Sequence, residues 1–129
     1  MRSRFIWMFV VLAVFLVFFW FMTDEEKSVL EGDFVNVAET WVLEESSTYV
    51  YDGESLVLKD EKEIILNDKI THSFTFIFDS RHGGYGDRSD KIVTQVITSH
   101  EIEIIVLDGE VISAVTDNIF DELNELILE

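Results

Sequence analysis

Residues Phe5 to Met22 read FIWMFVVLAVFLVFFWFM, eighteen residues without a charge, a glycine or a proline. At about 1.5 Å per residue such a run spans about 27 Å as a helix, close to the hydrocarbon thickness of a bilayer. A core helix in a chain this short would keep a polar face, so the run predicts a transmembrane helix. Arg2 and Arg4 precede it, and Asp24, Glu25 and Glu26 follow it. Basic residues stay on the cytoplasmic side, so a single-pass cell-membrane protein is expected, N-terminus inside and C-terminal domain outside. The run ends Phe19-Trp20-Phe21-Met22, where a cleaved signal peptide would carry small residues, so an uncleaved signal anchor is expected. Trp7 and Trp20 suit the two membrane interfaces. The chain then divides into an anchor over 1–22, a polar stalk over 23–32 and an extracytoplasmic domain over 33–129.

Seven of the nine basic residues and all 26 acids follow Met22, a net charge of −19 on that part. Such a domain repels phosphate backbones and anionic lipid heads. Nucleic acid is therefore excluded as a partner, and the lipid bilayer is met through residues 5–22. The absence of Cys excludes disulfides, thiolate metal sites and cysteine nucleophiles.

Asp33 reads as an N-cap, and Phe34, Ala38, Trp41 and Val42 recur on one face of a helix reaching about Glu45. Thr48 to Tyr51 is β-prone and leads into an Asp52-Gly53 turn. Leu56–Leu58 and Glu63–Leu66 read as short strands across a charged turn, Lys59 to Lys62. Phe74, Phe76 and Phe78 alternate with Ser73, Thr75 and Ile77, so three rings point into a core. Lys91 to Thr98 alternates in the same way. Asp108-Gly109 joins two apolar runs, Glu101–Leu107 and Glu110–Thr116, as a hairpin. Asp117 is positioned to cap a last helix over Ile119–Leu128. The expected fold is α+β: one amphipathic helix on an antiparallel sheet, with a short C-terminal helix and a cystatin-like or PepSY-like outline. Trp41 is expected to be buried against one face of the sheet. The tail helix or a partner is expected to cover the other face.

The segment Asp79-Ser80-Arg81-His82-Gly83-Gly84-Tyr85-Gly86-Asp87-Arg88-Ser89-Asp90 holds three of the six glycines. Glycines allow positive φ and close backbone approach, and an Arg pair is suited to clamping a carboxylate or phosphate. Arg81, His82, Tyr85, Asp87 and Arg88 are the candidate ligand-binding residues. The competing reading is a structural loop in which Arg81 and Arg88 pair with Asp79, Asp87 and Asp90. His72, His82 and His100 lack metal-ligand spacing, and no G-x-S-x-G surrounds a serine. No catalytic residue, metal or cofactor is assigned. The leading expectation is a non-enzymatic, membrane-anchored binding domain for a protein partner or a small anion. The alternatives are a small hydrolase or metal-dependent enzyme centred on Arg81, His82 and Asp87, and a protease inhibitor.

Three strings, AETWVLEESSTYVYDG (38–53), FTFIFDSRHGGYGDRSD (74–90) with VITSH (96–100), and DGEVISAVTDNIFDEL (108–123), together resemble a family of small exported archaeal and bacterial proteins. The resemblance spans most of residues 38–123, and the loop string is its most specific part. Members of that family carry a Cys-x-x-Cys pair before the Phe-rich strand, where this chain has Asp68-Lys69-Ile70-Thr71. The resemblance thus implies export but no redox or metal role and no catalytic residue.

Overall fold

Phe74, Phe76 and Phe78, with Ser73, Thr75 and Ile77 between them, build the strand that organises the rest of the chain. The computed structural model describes residues 31–129. There the chain forms two helices, α1 (Glu31–Glu45) and α2 (Ser47–Asp52). Six strands follow: β1 (Gly53–Leu66), β2 (Lys69–Ser80), β3 (Thr98–Leu107), β4 (Glu110–Thr116), β5 (Phe120–Asp121) and β6 (Leu126–Ile127). They pair antiparallel in chain order as one sheet.

The core lies between α1 and one face of this sheet. Ala38 and Val42 of α1 are fully buried against Phe74, Phe76, Phe78, Ile102, Ile104, Val106 and Ala114. Each buried ring contributes about 1.5–3 kcal/mol relative to exposure. Trp41 packs on this cluster only half-buried, because the small Ala38 and Val42 make the close contact and leave the indole at the margin.

The opposite face has no covering helix among the described residues. Thr71, Ser73 and Thr75 of β2 are nevertheless buried. Small side chains in the central strand lie under long ones from its neighbours. Lys62 on β1 reaches Glu103 on β3 at 3.8 Å, and Lys59 reaches Glu101 at 2.5 Å, both spanning β2. Charged pairs arching over hydroxyl residues do here what a tail helix was expected to do.

The architecture corrects the α+β expectation: it is chiefly a six-stranded antiparallel meander with two short helices. Among the described residues no helix is long and apolar enough to cross a membrane. The expected transmembrane signal anchor and nearly all of the stalk lie outside the described residues. The expected C-terminal helix is absent, and Ile119–Leu128 forms β5, β6 and a tight turn. Asp117 and Asn118 take φ of 53° and 57°, which reverses the chain onto β4 instead of starting a helix. Asp121 Oδ1 then accepts from Leu123 N (2.9 Å) and Asn124 N (3.1 Å).

Three smaller differences share one cause, the preference of context over local propensity. Thr48–Tyr51 is helical because Ser46 caps α2, accepting from Tyr49 N at 3.4 Å. Leu56–Leu58 and Glu63–Leu66 are one strand, since an edge strand tolerates the charged stretch between them. Lys91–Ile97 forms no strand because β3 already has β2 and β4 on its two sides; Ile92, Val96 and Ile97 are exposed.

Candidate functional site

The loop over residues 81–90 leaves β2 and folds back over α2. Gly84 and Gly86 take φ of 95° and 71°, turning the backbone where a side chain would be strained. At Gly86 a Cβ would also stand 3.2 Å from Phe120 Cζ, and its N–H donates to Thr48 Oγ1 at 2.9 Å. The loop is thus fastened to the helix that follows Ser46.

Arg88 points inward and is 2% exposed. Its Nη2 donates to Asp52 Oδ1 at 2.8 Å and contacts the Thr48 carbonyl and Ser80 Oγ, each at 3.4 Å. Its Nη1 donates to the Gly84 carbonyl. The guanidinium lies 4.6 Å from the Tyr51 ring centroid, in cation–π contact. Nε has no partner. Asp52 collects the cluster: Ser80 Oγ stands 2.6 Å from Oδ1, and His82 Nδ1 stands 2.8 Å from Oδ2. Burial disfavours the Asp52 carboxylate, but hydrogen bonds from Ser80 and His82 and the charge of Arg88 outweigh it and hold the carboxyl below its ordinary range.

Asp, His and Ser within one cluster invite comparison with a nucleophilic triad. The geometry does not support one. Ser80 Oγ is bonded to Asp52 and to the His82 carbonyl (2.8 Å), not to an imidazole nitrogen, and the residue is fully buried. A nucleophilic hydroxyl must face its base and its substrate.

A second cluster holds the far side of the loop. Tyr85 donates to Asp117 Oδ2 at 3.0 Å, and His100 Nδ1 lies 2.6 Å from the same oxygen. Asp117 Oδ1 accepts from Glu101 N at 2.8 Å. A carboxylate only accepts, so the His100 proton sits on Nδ1. Nε2 is left buried and unpartnered beside the rings of Phe78 and Tyr85. Burial first, then the hydrogen bond and charge of Asp117, push the Tyr85 phenol up to about 12. The Tyr85 ring also stacks on Phe120 at 5.6 Å. Next to it, the buried Glu122 accepts from Thr116 Oγ1 (2.7 Å), Ser47 Oγ (3.1 Å) and Thr48 N (3.3 Å), tying the C-terminal segment to the first turn of α2.

Between the loop and the C-terminal segment lies a cleft of about 580 Å³. Gly83, Gly84, Tyr85 and Arg88 form one wall, Lys91 to Thr94 another, and Phe120, Glu125 and Ile127 the third. Lys91 makes no ion pair among the described residues, whereas Arg88 is already neutralised by Asp52.

The five candidate residues therefore separate. Tyr85 and Arg88 line the cleft. Arg81 turns out to solvent and pairs with Glu54 at 2.9 Å, which raises its pKa. His82 belongs to the Asp52 cluster. Asp87 is exposed and caps the backbone, accepting from Ser89 N at 2.9 Å, which lowers its pKa. The two arginines share no partner, so they form no joint clamp. Nor do they pair with Asp79, Asp87 or Asp90; the partners come from α2 and β1. His72 stacks on Phe34 at 4.6 Å, so the three histidines occupy three separate environments. Among the described residues, no three His, Asp or Glu side chains gather as a metal site. No family model, curated protein or solved structure matches the chain.

Asp52, Thr48, Ser80, Asp117, Glu122 and Lys91 carry much of this site and were not singled out by sequence. The Asp52-Gly53 pair reads as a turn, and with 26 acids no carboxylate stands out from the rest. Only the fold ranks them.

Proposed function

We propose that residues 31–129 form a non-enzymatic binding domain whose cleft receives a small ligand, or the end of a partner chain, bearing a negative group. The single observation that supports this is the composition of the cleft: Lys91 without an ion pair among the described residues, beside the aromatic and aliphatic groups of Tyr85, Phe120, Ile92 and Ile127, with Glu125 the one carboxylate on the lining. Polar groups placed beside apolar ones set the orientation of a bound ligand. The tethered loop supports binding rather than chemistry, since Arg81, His82 and Asp87 each serve a different local partner. Display outside the cytoplasm is part of the proposal; it rests on Arg2 and Arg4 against Asp24 to Glu26, and on the likeness of the loop string to exported proteins.

Amide chemical shifts of the ¹⁵N-labelled chain test the binding reading, with inorganic phosphate and succinate as probes. Shifts should move at Gly83–Thr94 and Phe120–Ile127 and stay still on β1. Lys91→Glu should abolish them while leaving the melting temperature unchanged. Shifts that persist in Lys91→Glu, or that never localise to the cleft, would remove the reading.

A further inference from the structure

β1 is an edge strand: it pairs with β2 on one side and with nothing on the other among the described residues. It runs for 14 residues with a row of open backbone N–H and C=O groups. Val57 and Ile65 stand on it 55% and 79% exposed. Such an edge is a template for another strand unless its side chains forbid it. Here the side chains select a partner. From Leu56 to Leu66 the strand reads LVLKDEKEIIL, three apolar, five charged and three apolar residues centred on Glu61. An antiparallel partner reads this row backwards, so a second copy of the strand meets it across a two-fold axis at Glu61.

In that pairing Asp60 stands opposite Lys62 of the second copy, and Lys62 opposite Asp60. An irregularity in β1 keeps the remaining residues in phase. The register of β1 on β2 shifts by one between Leu58 and Asp60. Val57, Asp60, Lys62 and Ile64 pair with Ile77, Thr75, Ser73 and Thr71, all on the open face of the sheet. Leu58, Glu61, Glu63 and Ile65 pair with Phe76, Phe74, His72 and Ile70 on the α1 face. Leu56 packs on the core and so shares that second face. With one residue taken up at Lys59, Ile64 meets Val57 and Ile65 meets Leu56, apolar on apolar and face on face. Without the extra residue, Ile64 would meet Leu58 on the wrong face. The symmetry repeats each favourable contact twice, and against these stand Glu61 facing itself and Glu63 facing Leu58 at the two margins of the charged stretch.

We propose that the chain self-associates as a two-fold dimer by antiparallel pairing of β1 with β1 centred on Glu61, joining two six-stranded sheets into one. Closed two-fold symmetry uses one patch twice and terminates growth, so the open edge is consumed without forming a fibre. The partner is a second copy because the pattern of three apolar, five charged and three apolar residues is symmetric about Glu61, and Asp60 on Lys62, Ile64 on Val57 and Ile65 on Leu56 match in that one register.

The chain has no Cys, so single cysteines report the register directly. Directly opposed residues of an antiparallel pair have Cα atoms about 4.5–5.5 Å apart, within disulfide reach. The full chain carrying Glu61→Cys, solubilised in mild detergent and gently oxidised, should form a covalent dimer roughly tenfold faster than the chain carrying Glu63→Cys, which faces Leu58 instead of itself. Adding Ile65→Asp to Glu61→Cys should slow cross-linking by roughly tenfold, since it sets a carboxylate against Leu56 twice. Melting measured at dilution, where both chains are monomeric, should not change, because Ile65 is 79% exposed. Glu61→Gln removes the like-charge contact and should tighten the dimer measured by sedimentation. Equal cross-linking from positions 61 and 63, a wild-type chain that sediments as a monomer at high micromolar concentration, or a dimer indifferent to Ile65→Asp would each overturn the proposal.

Discussion

Charge is handled in two contrasting ways on either side of β2. Around Asp52, an arginine that is 2% exposed is held by a carboxylate, two backbone carbonyls and an aromatic ring. On the open face of the sheet, Lys59–Glu101, Lys62–Glu103 and Lys69–Asp108 lie in water, with about half or more of most of these side chains exposed. Both arrangements are ion pairs by distance. They differ in what their loss would leave behind. Removing one partner of the buried pair strands a charge in a low dielectric, while removing an exposed lysine leaves a carboxylate that water solvates at once. The buried set therefore acts as a fastener for the loop, and the exposed set as a cover for Thr71, Ser73 and Thr75.

The sharpest test of this contrast is Arg88→Gln. Breaking a buried pair costs about 3–5 kcal/mol, so the variant should show a large fall in the denaturant midpoint. A loss no greater than that of an exposed pair would erase the distinction between the two regions.

Acid should act on the same fastener. The Asp52 carboxyl is held below its ordinary range, so the folded state binds its proton less readily than the unfolded chain. Its stabilisation is present above the unfolded value of about 3.9 and is lost as the pH falls through the lower folded value. Asp52→Asn should flatten that part of the stability–pH curve measured by chemical unfolding. A curve that keeps its full slope in the variant would assign acid sensitivity to other carboxylates.

Alkali should loosen the far side of the loop. The Tyr85 phenol is pushed up to about 12, so its contribution is complete below the unfolded value of about 10 and declines as the pH rises through the folded one. Tyrosinate absorbance should show one phenol titrating late, and Tyr85→Phe should remove that late step. An unchanged titration would detach Tyr85 from Asp117.

The smallest effects belong to the exposed pairs. A double-mutant cycle on Lys62 and Glu103 should give about 0.2–1 kcal/mol of coupling, weakened further by salt. Arg81→Gln should leave melting almost unmoved, since its guanidinium and Glu54 both face solvent. A strong salt-resistant coupling between Lys62 and Glu103 would show that the cover over β2 behaves as an interior after all.

Some of this molecule is legible in residues alone, for a local physical reason. Alternation with period two put Phe74, Phe76 and Phe78 on one face, and each is at most 2% exposed in the core. Asp108-Gly109 turns the chain between β3 and β4, with Asp108 and Gly109 both at positive φ, as the hairpin chemistry of those residues requires. The spacing of Phe34, Ala38 and Val42 likewise places one face of α1 on the sheet. Distant contacts decided the rest. Thr48–Tyr51 is helical because Ser46, Glu122 and the loop satisfy its backbone from three separate places. Ile119–Leu128 turns into strands because Phe120 and Glu122 are drawn inward together. Lys91–Ile97 alternates like a strand but joins none, because it leads straight into β3, whose two sides are taken by β2 and β4. The destinations of Arg81 and Arg88 were closed to sequence reasoning for the same reason. With 26 acids in the chain, an arginine's partner is chosen by the path of the backbone, and residues 52 and 54 reach the loop only once β1 has folded against β2.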